Sequence, residues 1–278
     1  MMAVEAQGLT KSFDRRRLAL DQVGLELQRG EMVALIGASG SGKSTLIRSI
    51  SSLACCDAGE VAVFGERVQA QGRLIRRAAA SRRHVGIIFQ QFNLVDRLSL
   101  ITNVLIGLLG QIPAWRGYLG AFSEIEKRRA MACLHQVGLA EHAAQRASTL
   151  SGGQQQRAAI ARALLQEAQL MLADEPIASL DPQAARRVME ILSRINREDG
   201  ATILVSLHQV AYAMAYCPRT IALREGAVVY DGASKALTPD MLRQLYGAES
   251  ETLFLPELDP AASRAPDPLG AAVAAAAL

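Results

Sequence analysis

Aromatic residues are scarce in this chain: Phe, Tyr and Trp make up 4% of 278 residues, and there is one Trp. An excess of either charge is also missing, with a formal net charge of +3. A balance that mild does not by itself point to nucleic acid. The densest basic stretch, RLIRRAAASRRH from Arg73 to His84, has few aromatics beside it. It therefore reads as a solvated helix face in preference to a site for nucleic acid or lipid headgroups. No apolar run reaches the roughly 18 residues that a membrane span needs. The N-terminus lacks the apolar core of a secretory signal, so the chain is expected to stay in the cytoplasm. Cysteine is limited to Cys55, Cys56, Cys133 and Cys217. None forms a C-x-x-C pair and the spacing fits no zinc site, so reduced structural thiols are expected.

What is present is apolar and ordered. Half the residues are hydrophobic, enough for a substantial core. Short alternations such as VGLELQRGEMVALIG predict β-structure over the first 36 residues. MVALIG, VGIIFQ, LMLADE and ATILVSLH each read as a buried strand ending in a turn or a polar residue, with helical segments between them. Strands alternating with helices imply an α/β fold, a mainly parallel sheet with ligands at the carboxyl ends of its strands. From Phe92 to Leu150 the pattern is helical with no strong strand, which predicts an inserted helical lobe. Beyond about Leu255 the chain turns Ala- and Pro-rich without an amphipathic period, as a disordered or loosely helical tail would.

GASGSGKST, Gly37 to Thr45, follows the strand MVALIG and precedes a helix, matching the spacing G-x-x-x-x-G-K-[ST]. Its glycines let backbone amides turn toward phosphate oxygens, and the helix N-terminus adds about half a positive charge. Gly37, Ala38, Ser39, Gly40, Ser41, Gly42 and Thr45 form this cradle. Lys43 is placed to reach the β- and γ-phosphates, and the Ser44 hydroxyl to ligate Mg²⁺. LMLADEP sets Asp174 at the end of a buried strand, where it can hold Mg²⁺ through water. Glu175 points elsewhere, toward an attacking water that it can orient or deprotonate.

A second anion site lies more than a hundred residues later, in LSGGQQQRAAIARALL. Ser151 stands where an N-cap belongs, and Gly152 and Gly153 expose the first amides of an Ala- and Arg-rich helix. With LSGGQ between them and in order, the phosphate loop and the Asp-Glu strand end resemble those of the ATP-binding-cassette family, over roughly Val4 to Gly247. The resemblance implies a P-loop NTPase of the ABC ATPase type. Its RecA-like core would carry an N-terminal antiparallel β-subdomain and a helical subdomain at about 92–155, within a cassette of 1–250 and ahead of a tail at 251–278. It further implies ATP and Mg²⁺ as ligands and a head-to-tail pair of copies. Ser151, Gly152, Gly153 and Gln154 of one copy would then touch the γ-phosphate held by the other. By the same resemblance, Gln90 senses Mg²⁺ and the attacking water, and His208 contacts the γ-phosphate. Asp181, in the SLD loop, communicates across the dimer, and Phe13 stacks on adenine. A core position is the alternative reading for Phe13. His84, His135 and His142 read as surface residues.

QQFNLVDRLSLITNVLIG, DEPIASLD and LHQVAYAMAYCPRTIALREGAVVYDG are similar to the phosphonate-import branch of that family. Ala38 stands where proline is common, and Ala211 where an acidic residue is common after HQV. The branch implies ATP-driven uptake at the cytoplasmic face of the inner membrane. Two transmembrane permease subunits would dock a coupling helix near Phe92 to Arg97, and a periplasmic or other extracytoplasmic phosphonate-binding protein would deliver the substrate. Nucleic acid is not an expected partner. Phosphite, a phosphate ester or a polar amino acid remain alternative cargoes. An exporter of lipoproteins or lipids remains an alternative direction. Cassettes of DNA repair or translation fit poorly, since sustained heptads and a second cassette are both missing.

Overall fold

The computed structural model describes residues 1–14, 17–75 and 82–246. Two sheets organise it. A five-stranded antiparallel sheet has the order β2-β1-β4-β5-β6, from β1 (Met2–Asp14), β2 (Arg17–Gln28), β4 (Ala58–Val63), β5 (Glu66–Ala70) and β6 (Arg73–Leu74). A six-stranded sheet has the order β11-β10-β3-β9-β8-β7. In it β10 (Arg219–Arg224), β3 (Met32–Ile36), β9 (Thr202–Ser206), β8 (Leu170–Ala173) and β7 (Val85–Ile88) run parallel. The edge strand β11 (Ala227–Ala233) pairs antiparallel to β10.

The central strands β3 and β8 are apolar and buried at every position because both faces of the sheet are covered. Side chains alternate along a strand, so one run supplies two cores. Met32, Ala34 and Ile36 of β3 face one core, while Val33 and Leu35 face the other. Strands β8 and β9 divide in the same way. The first core packs under helices α2 (Leu100–Leu105), α4 (Glu124–Gln136), α5 (Gly152–Leu165), α6 (Pro182–Asp199) and α7 (Val210–Tyr216). The second packs under the antiparallel sheet and α1 (Lys43–Ile50). Two more short helices, α3 (Ala114–Leu119) and α8 (Pro239–Tyr246), complete the described helices longer than one 3-10 turn.

Between Phe92 and Leu150 the described structure is helical, with one isolated bridge, Ser99 to Arg146, as its only strand-like pairing. Ser123 caps α4 in a reciprocal box with Glu126, and Ser151 caps α5 in the same way with Gln154. Helix α5 continues to Leu165, so the helical segment extends past residue 155. Buried Asn103 ties the entry loop down: its Oδ1 accepts from Val95 N–H at 2.7 Å and its Nδ2 donates to Val95 O at 3.0 Å.

Two strand ends lie short of their apolar runs. VGIIFQ stops pairing at Ile88, which leaves Gln90 in a turn, and ATILVSLH stops at Ser206. Leu207 extends one run because it is buried in the first core, while Phe89 extends the other half-buried, lining a cleft beside Asn93 and Arg162. The interior of the basic stretch, 76–81, and the tail lie outside the described residues. Cys56 and Cys217 are buried, and burial pushes the Cys217 thiol up to about 12 and that of Cys133 to about 11. No described helix is long and apolar enough to cross a membrane.

Helix α5 meets the 3-10 turn Ile106–Leu108 at a glycine. A methyl group on Gly107 would lie 2.5 Å from the carbonyl oxygen of Arg162. Backbone cannot yield there as a side-chain end would. Gly107→Ala is therefore expected to destabilise the fold by about 1–3 kcal/mol, read as a lower thermal midpoint with unchanged far-UV circular dichroism at 20 °C or so.

Candidate nucleotide site

The parallel strands deliver their carboxyl ends to one edge of the sheet, where open α/β sheets bind ligands. The Gly37–Gly42 loop leaves β3, Asp174 and Glu175 follow β8, His208 follows β9 by two residues, and Gln90 follows β7 by two. A cleft of about 630 Å³ opens there. Ser39, Gly40, Gly42, Lys43, Ser44 and Thr45 line its floor, and Gln90, Glu175, His208 and Phe13 line its walls. Phe13 is 71% exposed, so it is not a core aromatic, and the Lys11 ammonium lies 5.6 Å from its ring centre.

Not all of the loop faces the cleft. Gly37 is buried, and its N–H donates to the Tyr246 hydroxyl at 3.0 Å. Ser41 is buried, and its carbonyl accepts from Gly226 N–H at 3.1 Å. Ala38 packs against the core. The loop needs glycine where it runs against neighbouring backbone. Gly42 has φ 108°, and a β-carbon on it would stand 2.3 Å from the Ala19 carbonyl oxygen.

Lys43 is 4% exposed. Its ammonium folds back to donate to the carbonyls of Gly37 at 2.7 Å and Ala38 at 3.2 Å, and it lies 3.8 Å from Glu175 Oε1. Burial lowers its pKa, against the pull of Glu175 and Asp174. Glu175 Oε1 is also 3.3 Å from His208 Nε2. That hydrogen bond, more than Lys43, holds the Glu175 carboxyl below the usual range. Its backbone sits at φ 48°, a left-handed conformation that costs a residue with a β-carbon on the order of 1–3 kcal/mol.

Ser206, which sequence reasoning passed over, explains how that turn is held. Its hydroxyl accepts from Glu175 N–H at 2.7 Å and donates to Asp174 Oδ1 at 3.1 Å. The Ser44 hydroxyl donates to the same Oδ1 at 2.9 Å. Two hard oxygens so placed, one anionic, are the donor type a magnesium ion accepts. Ser206 had one signal: it is the only polar side chain inside the apolar stretch ILVSL. Tyr246 was also missed; burial pushes its phenol up to about 12, against its bond to Gly37 N–H.

The second anion site stands elsewhere. None of Ser151, Gly152, Gly153 or Gln154 lines the cleft, and neither does Asp181. Asp181 caps α6, accepting from the backbone of Gln183 and Ala184. Gly153 fits against α6, since a β-carbon on it would meet that of Ala184 at 2.8 Å. Gln154 is bound inside its own chain. Its Oε1 accepts from Ser151 N–H at 2.8 Å, and its Nε2 lies 2.9 Å from His142 Nε2. His84 and His135 are exposed as expected, but His142 is half-buried beside the LSGGQ turn, the signature of this helix start.

A phosphate loop at a strand end, a paired Asp-Glu and a histidine facing them define a P-loop nucleotide hydrolase. The chain matches the model of the family described as ABC transporter over residues 20–178. It is 59% identical to the phosphonates import ATP-binding protein PhnC of Stutzerimonas stutzeri, over 91% of this chain and 92% of that one. Its identity to the corresponding PhnC of Cupriavidus pinatubonensis is 57%, over 96% and 95%. Among solved structures, it resembles a dimeric ATP-binding cassette in a post-hydrolysis state bound to ADP and Pi. The identity is 34% and the TM-score 0.73, over 84% of this chain and all of that one. The chain belongs to the ABC transporter family, as an ATP-binding, ATP-hydrolysing cassette.

Ser206→Ala leaves Glu175 N–H without its acceptor and Asp174 with one donor fewer. Losing these bonds is worth about 1–3 kcal/mol. Expected are a folded protein and an ATPase turnover lowered about tenfold or more, measured by phosphate release. Unchanged turnover would remove Ser206 from the site.

Proposed function

We propose that the chain is the ATPase of a phosphonate importer, working as a head-to-tail pair on the cytoplasmic face of the inner membrane. The substrate class rests on the names of relatives 55–59% identical over most of the chain, since no residue here reads a phosphonate. The shared site rests on one observation. Lys43, Glu175 and His208 converge on one cleft, while the equally anion-ready start of α5 lies outside it. A second copy facing the first would supply Ser151 and Gly153 to its nucleotide.

Lys43 would then exchange the carbonyls of Gly37 and Ala38 for β- and γ-phosphate oxygens. Phe13 would lie under the adenine. Ser44, Asp174 through water, and Gln90 would hold Mg²⁺, whose charge offsets that of the phosphates. Glu175, kept ionised, orients the attacking water and accepts its proton as the bond to the γ-phosphorus forms and the bridging oxygen leaves with ADP. His208 holds the Glu175 carboxylate and turns toward the γ-phosphate. Asp181 lies in the loop that would meet the partner copy. A cleft of about 570 Å³ between core and helical lobe, lined by Phe89, Asn93, Ile106 and Arg162 among others, suits one coupling helix, so that two copies would receive one from each of two permease subunits. An extracytoplasmic binding protein would act on the cassette only through them.

Glu175→Gln should bind ATP yet turn over at least about a hundredfold slower, and should elute as a dimer with Mg-ATP. Adding Ser151→Arg to that variant should abolish the dimer. Dimerisation unaffected by Ser151→Arg would refute the shared site.

The isolated cassette should show basal ATPase activity indifferent to phosphonates. With permease and binding protein reconstituted, turnover should rise with aminoalkylphosphonates, because ligand outside can act inside only by favouring one of two states. A strain lacking the gene should fail to grow on a phosphonate as sole phosphorus source yet grow on phosphate. Normal phosphonate uptake by that strain, in the absence of a redundant importer, would overturn the substrate assignment.

A further inference from the structure

Gln154 is the fifth residue of the signature, and its amide is engaged at both ends. The Oε1 accepts from Ser151 N–H at 2.8 Å, while Ser151 Oγ accepts from Gln154 N–H at 3.3 Å. That capping box fixes the amide's orientation. Flipping it would set Nε2–H₂ against a backbone N–H, donor against donor. The Nε2 therefore points outward as a donor, and it meets His142 Nε2 at 2.9 Å.

His142 ends the 3-10 turn Ala140–His142, nine residues before the capped serine. Its Nε2 must accept, which puts the ring proton on Nδ1. The Nδ1 is buried and has no hydrogen-bond partner among the described residues. A doubly protonated ring, or a donor of any kind at this position, would face the Gln154 N–H₂ with another N–H. The fold thus leaves one buried donor unpaired while keeping an acceptor beneath the signature. An arrangement unfavourable for stability calls for another explanation.

We propose that His142 is a positioning residue for the ATPase reaction. Its unprotonated Nε2 locks the Gln154 amide, which locks the capping box. The box presents Ser151 and the first amides of α5 in one fixed geometry to the nucleotide held by a second copy. This rests on the shared-site reading above. Ser151 and Gly153 touch the phosphate in that reading, and His142 acts two hydrogen bonds behind them.

The test uses the full chain. His142→Leu removes the acceptor at similar volume and also removes the unpaired donor. His142→Gln removes the unpaired donor but returns an acceptor, its Oε1, near the place of Nε2. With Leu, the Mg-ATP concentration giving half-maximal dimerisation of Glu175→Gln protein should rise about three- to tenfold, the worth of one hydrogen bond. KM for ATP should rise alongside, and the thermal midpoint should hold or increase. With Gln, ATP dependence should return to within about twofold. A residue that merely packs would lower the midpoint on change to Leu, and that outcome overturns the proposal. So does Leu behaving as wild type, or Gln as impaired as Leu. Nitrogen-15 spectra of the imidazole rings, with His142 assigned by the signal lost in His142→Gln, read the tautomer without relying on a variant's activity. Protonation on Nδ1 is expected, and protonation on Nε2 overturns the proposal. Ser151→Arg separates the two readings. If it blocks dimerisation while His142→Leu does not, only this inference fails. If neither does, the shared site fails with it.

Discussion

A buried ammonium sets the terms for the rest of the site. Lys43 is 4% exposed at the start of α1, and a buried charge without partners is costly. Two loop carbonyls and a carboxylate surround it. Those carbonyls can converge only because the loop turns through Gly37, Gly40 and Gly42, all at positive φ. The loop in turn is fastened from outside, by the Tyr246 hydroxyl at Gly37 and by the Gly226 amide at Ser41. On the other side Glu175 stands at φ 48°, and the Ser206 hydroxyl holds its amide there. Phosphate oxygens would satisfy the ammonium better than neutral carbonyls do, being charged acceptors. The site is thus arranged around a cation already desolvated and already partly paired.

Helix α5 connects this edge to the rest of the molecule. Its N-terminus carries the signature. In its last turn, the Arg162 guanidinium donates to the carbonyls of Asn93 at 2.6 Å and Phe92 at 3.3 Å. Phe92 and Asn93 are both at positive φ, two and three residues past Gln90. A side chain holding two strained carbonyls leaves that segment little independent freedom. Asn103 fixes the same segment from α2, through Val95. A push on the groove beside Ile106 and Arg162 therefore meets, in one packed unit, the turn that carries Gln90 and the helix that carries Ser151. These are the contacts that coupling between a membrane partner and a nucleotide would require.

The parts of this structure that could be read from the chain are those whose cause is local. Positive φ and close backbone approach demand glycine, so GASGSGKST announces a phosphate loop. An apolar run ending in Asp-Glu announces a strand end. A serine three residues before a glutamine announces the capped start of α5. The parallel core and the helical lobe followed from periodicity in the same way, while for the antiparallel subdomain periodicity announced only β-structure and the family resemblance supplied its antiparallel pairing. Strand ends were read too far at Phe89–Gln90 and Leu207–His208 because apolar character tracks burial, not pairing. Phe13 is the opposite case: its sequence neighbourhood left core and surface both open, and only its place at the lip of the cleft separates them.

What was illegible depends on partners far apart in sequence. Ser206 matters because β9 lies beside β8, which puts its hydroxyl against groups 31 and 32 residues away. Tyr246 matters because α8 returns its phenol to Gly37 across 209 residues. His142 lies only 12 residues from Gln154, yet its contact was equally hidden, since it depends on the fold of the segment between. Neither serine, tyrosine nor histidine advertises such a role by type, because each satisfies it with one or two ordinary hydrogen bonds. The common feature is that each of the three supports backbone or amide geometry instead of touching phosphate. In a site built largely from main-chain groups, the residues that hold the main chain are as specific to function as those that meet the ligand, and they are the ones that motif spacing does not report.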